Sequence, residues 1–139
     1  MGFFSAMELA GSGLTAQRLR MDVTAENLAN AQTTRTEAGG PYRRKDVVLA
    51  EGSQSFGTAL DQALGGVEVA GVQEDKAAAR QVYDPGHPDA DDRGYVSMPN
   101  VNTVTEMVDL IDAQRAYEAN VTAMQAAKQI VAKTIEVLR

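Results

Sequence analysis

The chain has 139 residues, a formal net charge of −6 and no cysteine. That length holds one domain with a modest core, the acidic balance argues against a nucleic-acid binder, which needs a concentrated basic surface, and the missing thiols exclude disulfides, thiolate catalysis and cysteine-type zinc. No apolar run approaches the ~18 residues of a membrane span, and residues 1–9 lack a basic start and are interrupted by Glu8, so no cleavable export signal is expected.

A first helix is predicted from Ser5 to about Ala31. Ser5 is placed to cap it, with Glu8 reaching back and Phe4 and Leu9 as the flanking hydrophobic staple. Roughly 26 residues span ~39 Å. Leu14, Met21 and Leu28 recur every seven residues on one face, the spacing of helices that pack lengthwise. A second line, Leu9, Ala16 and Val23, lies roughly 200° round the helix. Such a helix needs cover from two directions, and one partner helix cannot supply both. The run Gly11-Ser12-Gly13-Leu14-Thr15-Ala16 has the letters of a dinucleotide fingerprint, but that motif works only between a strand and a helix. Within a helix its small residues permit close packing instead.

Gly39, Gly40 and Pro41 lie past the helix end. Arg43, Arg44 and Lys45 form the one basic cluster and read as a solvated strand or loop edge. Residues 42–50 and 67–73 have the β-branched content of short strands, and residues 82–83 and 95–96 add two more. Residues 55–64, flanked by glycines, are expected as a short helix or a mobile insertion.

Residues 84–94 hold the one concentration of candidate metal ligands: Asp84, His87, Asp89, Asp91 and Asp92. Counted as a calcium loop from Asp89, the segment has a cation, Arg93, at position five and Asn100 where a bidentate Glu belongs. His87 is the one histidine in the chain, so a histidine pair for zinc is impossible. With Pro85, Gly86, Pro88 and Gly94 around it, the segment reads as a tight exposed turn. No nucleophile elbow, Walker loop or His-Glu-x-x-His helix is present. No catalytic, cofactor-binding or metal-binding residue is therefore assigned, and no cofactor is expected.

The second helix is predicted from Thr103 to the C-terminus, with Thr103 and Glu106 at capping-box spacing. Leu110, Tyr117, Met124, Val131 and Leu138 recur every seven residues. Beside them run small residues, Ala113, Asn120, Ala127 and Thr134, which allow another backbone to approach closely. The apolar stripe is wider than a two-helix seam can bury. Either the middle of the chain closes an ordinary helical hairpin, or neighbouring subunits complete the cover; the second is the expectation.

Two strings carry a family resemblance. AENLANAQTT (residues 25–34) resembles the Asn-Leu-Ala-Asn box of the N-terminal helix in the bacterial flagellar rod and hook family, and MVDLIDAQRAYEANVTAM (residues 107–124) resembles that family's C-terminal helix. Residues 83–102 resemble a segment peculiar to its proximal-rod member. The resemblance covers roughly residues 5–50 and 67–139. It implies an axial structural subunit of the basal-body rod, exported through the flagellar type III apparatus without a cleavable signal. Such a subunit assembles helically with itself, with rod proteins of the FlgB, FlgF and FlgG type and with the basal-body adaptor FliE. The assembly encloses the export channel and transmits torque. By match to the boxes, Asn27, Leu28, Asn30, Arg115, Tyr117 and Asn120 join Leu14, Met21, Leu110, Met124 and Val131 as assembly or packing residues.

The fold expected is mainly α with a small β part. Long terminal helices pack as an antiparallel, coiled-coil-like pair (residues 1–34 with 101–139), and a strand-containing middle module spans 35–100, with 51–66 as its mobile part. The reading is a structural protein and not an enzyme. Its alternatives are a soluble helical adaptor, or a small metal-binding enzyme centred on residues 84–92.

Overall fold

A computed structural model describes residues 3–51 and 66–137, with side chains placed from Ala6 to Glu136 apart from 52–65. The expectations for residues 52–65, for the Phe4 staple and for Leu138 lie outside the described residues. Helix α1 (Phe3–Ala29) is followed by strands β1 (Lys45–Glu51), β2 (Val67–Glu74), β3 (Arg80–Tyr83) and β4 (Tyr95–Met98) and by helix α2 (Thr103–Val137). The α1–α2 pair is the principal packing of the molecule.

Helix α1 begins two residues before Ser5, which therefore lies inside it and is not its cap. It also stops at Ala29, two residues short of the expected end. Asn30 closes it: its backbone N–H and its Nδ2 both donate to Glu26 O at 3.0 Å, and its Oδ1 accepts from Thr33 Oγ1 at 3.1 Å. Gly39 and Gly40, with φ of 86° and 80°, then reverse the chain, so that Tyr42 N donates to Thr33 O at 3.0 Å. Only glycine adopts two such left-handed dihedrals in succession without a steric penalty.

The four strands form two separate antiparallel pairs, β1 with β2 and β3 with β4. The first pair begins at Lys45 and not at Tyr42, and Ala70 bulges out where the register shifts between Val48 and Leu49. The β3–β4 hairpin sets Val82 opposite Val96, and Val96 is fully buried.

Helix α2 starts where expected, with a different cap. Asn102 Oδ1 accepts from Val104 N at 3.0 Å and from Thr105 N at 3.4 Å, the bonds expected of an N-cap side chain. Glu106 does not reach back; its side chain is buried elsewhere. The core sits where the C-terminal end of α1, the start of α2 and the first strand meet, with Ala31, Tyr42 and Val101 clustered there.

The two lines on α1 are the margins of one wide buried arc. Leu14, Met21 and Leu28 are half-buried, Ala16 and Val23 are buried while Leu9 is 45% exposed, and the buried Ala10, Thr24 and Asn27 fall on the helix surface between the two lines. Helix α2 covers one side of this arc and the chain's own β1–β2 hairpin approaches the other. Part of the cover expected from neighbouring subunits is thus supplied within the chain.

Candidate assembly interface

The most buried large side chains include two polar ones, Glu106 and Asn27, each 1% exposed. Burial of polar groups is tolerable only when their hydrogen bonds are made. Asn27 makes all it can. Its Nδ2 donates to Lys45 O at 2.8 Å and to Glu106 Oε2 at 3.0 Å, and its Oδ1 accepts from Lys45 N and from Tyr42 OH, both at 2.9 Å. Two N–H donors and two carbonyl lone pairs are the whole inventory of an asparagine amide. Towards Lys45 the amide behaves as a strand partner would, trading both backbone bonds, and this fixes β1 against α1.

Glu106 receives the second half of the cluster. Arg44 Nε donates to its Oε1 at 2.6 Å, a short charge-assisted bond. The same guanidinium lies 3.8 Å from both Asp46 and Asp109 carboxylates. The bond to Glu106 raises the Arg44 pKa above its ordinary value, against desolvation, which lowers it. Tyr42 is pushed up to about 12, first by burial and then by the negative field of Glu26, Glu106 and Glu74. Lys45 Nζ bonds Glu26 at 2.5 Å and stands 5.7 Å over the Tyr42 ring, within cation–π range. Arg44 and Lys45 are therefore structural partners, and the reading of the basic cluster as a solvated edge fails for both.

Farther along, the helices approach through small residues. A Cβ built on Gly13 would lie 2.8 Å from Asn120 Nδ2, and one on Gly11 would lie 3.9 Å from Met124 Cε. With Asn27 against Glu106, these contacts define an antiparallel register. Leu110, Tyr117, Asn120, Met124 and Val131 are half-buried along it and Ala113 is 1% exposed, whereas Arg115 is exposed. Asn27 joins α1 to α2, while the bonds of Asn30 are local to the helix end.

A second apolar face on α2 remains open. Val104, Met107, Val108 and Ile111 follow helical spacing and are 50–69% exposed. Apolar side chains at this spacing form one contiguous stripe, a kind of surface on which a partner can dock.

In the loop between β3 and β4, carboxylates serve backbone amides. Asp84 Oδ1 accepts from Gly86 N at 3.2 Å, and Asp91 Oδ1 accepts from Arg93 N at 2.9 Å and Tyr95 N at 2.8 Å. Asp89 Oδ2 accepts from Thr34 Oγ1 at 2.8 Å. Among the described residues no three His, Asp or Glu side chains converge as metal ligands, and none of the described helices is long and apolar enough to cross a membrane.

Comparison with known proteins follows the same geography. The family described as flagella basal body rod protein matches residues 7–35, within α1 and the turn after it, and the family described as flagellar basal body rod FlgEFG protein C-terminal matches residues 92–137, chiefly α2. The flagellar basal-body rod protein FlgC of Borreliella burgdorferi is 44% identical over 151 aligned residues, spanning 100% of this chain and 99% of that protein. The chain belongs to the FlgC family of flagellar basal-body rod proteins. FlgC of Bacillus subtilis is 45% identical across 99% of both chains, and FlgC of an Escherichia coli strain is 44% identical across 97% of both. The family relationship therefore extends through the strands and the loop between β3 and β4 as well as the two helices.

Glu106, Arg44, Tyr42 and Lys45 are the residues that sequence reasoning missed. A signal for one of them was present: the line of small residues at 113, 120, 127 and 134, stepped back by seven, lands on Glu106.

Proposed function

We propose that this protein is a structural subunit of the proximal rod of the bacterial flagellar basal body, where it assembles helically to enclose the export channel and transmit torque. The observation that carries this reading is end-to-end similarity to FlgC proteins. The open stripe at Val104, Met107, Val108 and Ile111 supports it physically, because an apolar helix face of that extent calls for a further protein surface. Neighbouring copies, rod proteins of the FlgB, FlgF and FlgG type and the adaptor FliE are the partners on this reading, and the half-buried Leu14, Met21, Tyr117 and Val131 border their contacts. The chain leaves the cytoplasm through the flagellar type III apparatus and performs no catalysis. Its terminal helices, residues 1–34 and 101–139, serve as the axial domain, and residues 35–100 as the outer module.

The test is recovery. In a strain whose own copy is deleted, a tagged copy of this chain restores swimming and co-purifies with detergent-extracted basal bodies. Restored swimming with the tag absent from purified basal bodies would overturn the reading.

A further inference from the structure

Between α1 and the β1–β2 hairpin lies an open groove of about 440 Å³. Its apolar floor is Leu19, Val23 and Val72, and its rim carries three carboxylates, Asp22, Glu26 and Glu74. Lys45 neutralises Glu26 only. Val72 is 47% exposed even though it faces the helix, so the groove is unfilled.

At its far end α2 keeps large apolar side chains in the open. The register set by Asn27–Glu106 and Gly13–Asn120 places Phe3 across from about residue 130. Ile130 and Ile135 are 64% and 63% exposed there. Lys128 and Lys133 lie beside them, with Glu136 as the one acidic group among described residues 128–136. An apolar, net basic helix end thus stands on the same molecule as an apolar groove with an acidic rim.

We infer that the groove receives the last described turns of α2 from a second copy of this chain, an inference that rests on the rod-subunit reading above. The two features cannot meet within one molecule, since Asp22 and Ile135 are separated by roughly 35 Å along the helix axis. The contact joins unlike surfaces, so it does not close as a two-fold dimer. It repeats from copy to copy, as a ring or an open helix. Opposite charge around the groove fixes which segment enters and in which orientation, while the isoleucines and Val72 lose their exposed area.

The absence of cysteine makes the test clean. A chain carrying both Asp22→Cys and Ile135→Cys, oxidised mildly within purified basal bodies, gives a ladder of disulfide-linked copies; either substitution alone gives background only. Glu74→Lys lowers the ladder yield several-fold, and adding Lys133→Glu restores it. Basal bodies that contain the doubly substituted chain without a ladder, or with cross-links only to a different protein, overturn the inference. If the unsubstituted chain is absent from basal bodies, the rod reading fails separately. The same oxidation of the concentrated purified chain then judges the groove, a ladder supporting it and monomer alone overturning it.

Discussion

Arg44 Nε donates to Glu106 at 2.6 Å, at a site where the carboxylate side chain is 1% exposed and the guanidinium 25%. The pair holds the first strand against the start of α2 and shares Glu106 with Asn27 of α1, so three elements converge on one carboxylate. Removing the cation alone strands a buried charge, which costs about 3–5 kcal/mol. Arg44→Ala is therefore expected to lower the stability of the purified chain by that order in urea denaturation. Arg44→Met combined with Glu106→Met should cost less than the sum of the two single changes. Additive losses would show that the two side chains do not act as a pair.

Gly13 is held small by Asn120. In isolation, alanine is favoured over glycine in a helix by about 1 kcal/mol, but here the added methyl meets the Asn120 amide at 2.8 Å. Gly13→Ala should be neutral or destabilising in the native chain and stabilising once Asn120→Ala has vacated the space. Thermal melting of the four proteins of that cycle measures the coupling, and an equal effect in both backgrounds would remove the steric explanation.

Tyr42 makes stability fall in strong alkali. Its folded pKa, raised to about 12, lies above the ordinary tyrosine value of 10, so between these limits the unfolded chain releases a proton that the folded chain keeps. Stability linked to Tyr42 is fully present below pH 10 and is lost as pH rises towards 12, by about 3 kcal/mol in total. Tyr42→Phe should flatten that limb of the stability profile. An unchanged slope between native and variant proteins would assign the alkaline loss to other groups.

The open stripe on α2 separates assembly from folding. Ile111 is 50% exposed, so Ile111→Asp should leave unfolding free energy within about 0.5 kcal/mol of the native value, as surface changes usually do. The same variant should abolish swimming and disappear from isolated basal bodies. Full motility would mean that this face remains uncovered in the rod.

His87 has a local task, accepting from Asp89 N through Nδ1 at 3.1 Å within the hairpin turn. His87→Ala is expected to leave rod assembly and motility intact. Loss of a bound metal on that substitution, measured by elemental analysis of the purified protein, would revive a metal-binding role for residues 84–92.

Seven-residue spacing made both helices legible, because helical periodicity repeats along the sequence and needs no knowledge of distant partners. The strands were legible for a similar local reason, their β-branched content, but their grouping into two separate pairs depends on contacts between segments. The polar cluster was hidden by local patterns that fit equally well. Thr103 and Glu106 match a capping box, yet Asn102 is one residue better placed to cap, which leaves Glu106 free to point inward. Arg44 sits in a run of three basic residues that resembles a solvated edge, and only the arrival of α2 supplies its buried partner. Asn27 was marked by the family box, whereas its four hydrogen bonds become visible only in three dimensions.

Asn27 and Glu106 stand 79 positions apart in the chain. A polypeptide threaded through a narrow conduit, from either end, cannot complete this bond until more than half its length has emerged. Before that moment Arg44 and Asn27 lack their common acceptor, and the helix pair has no fixed alignment. In such a passage the cluster would close among the last contacts, and the two helices would take their alignment late.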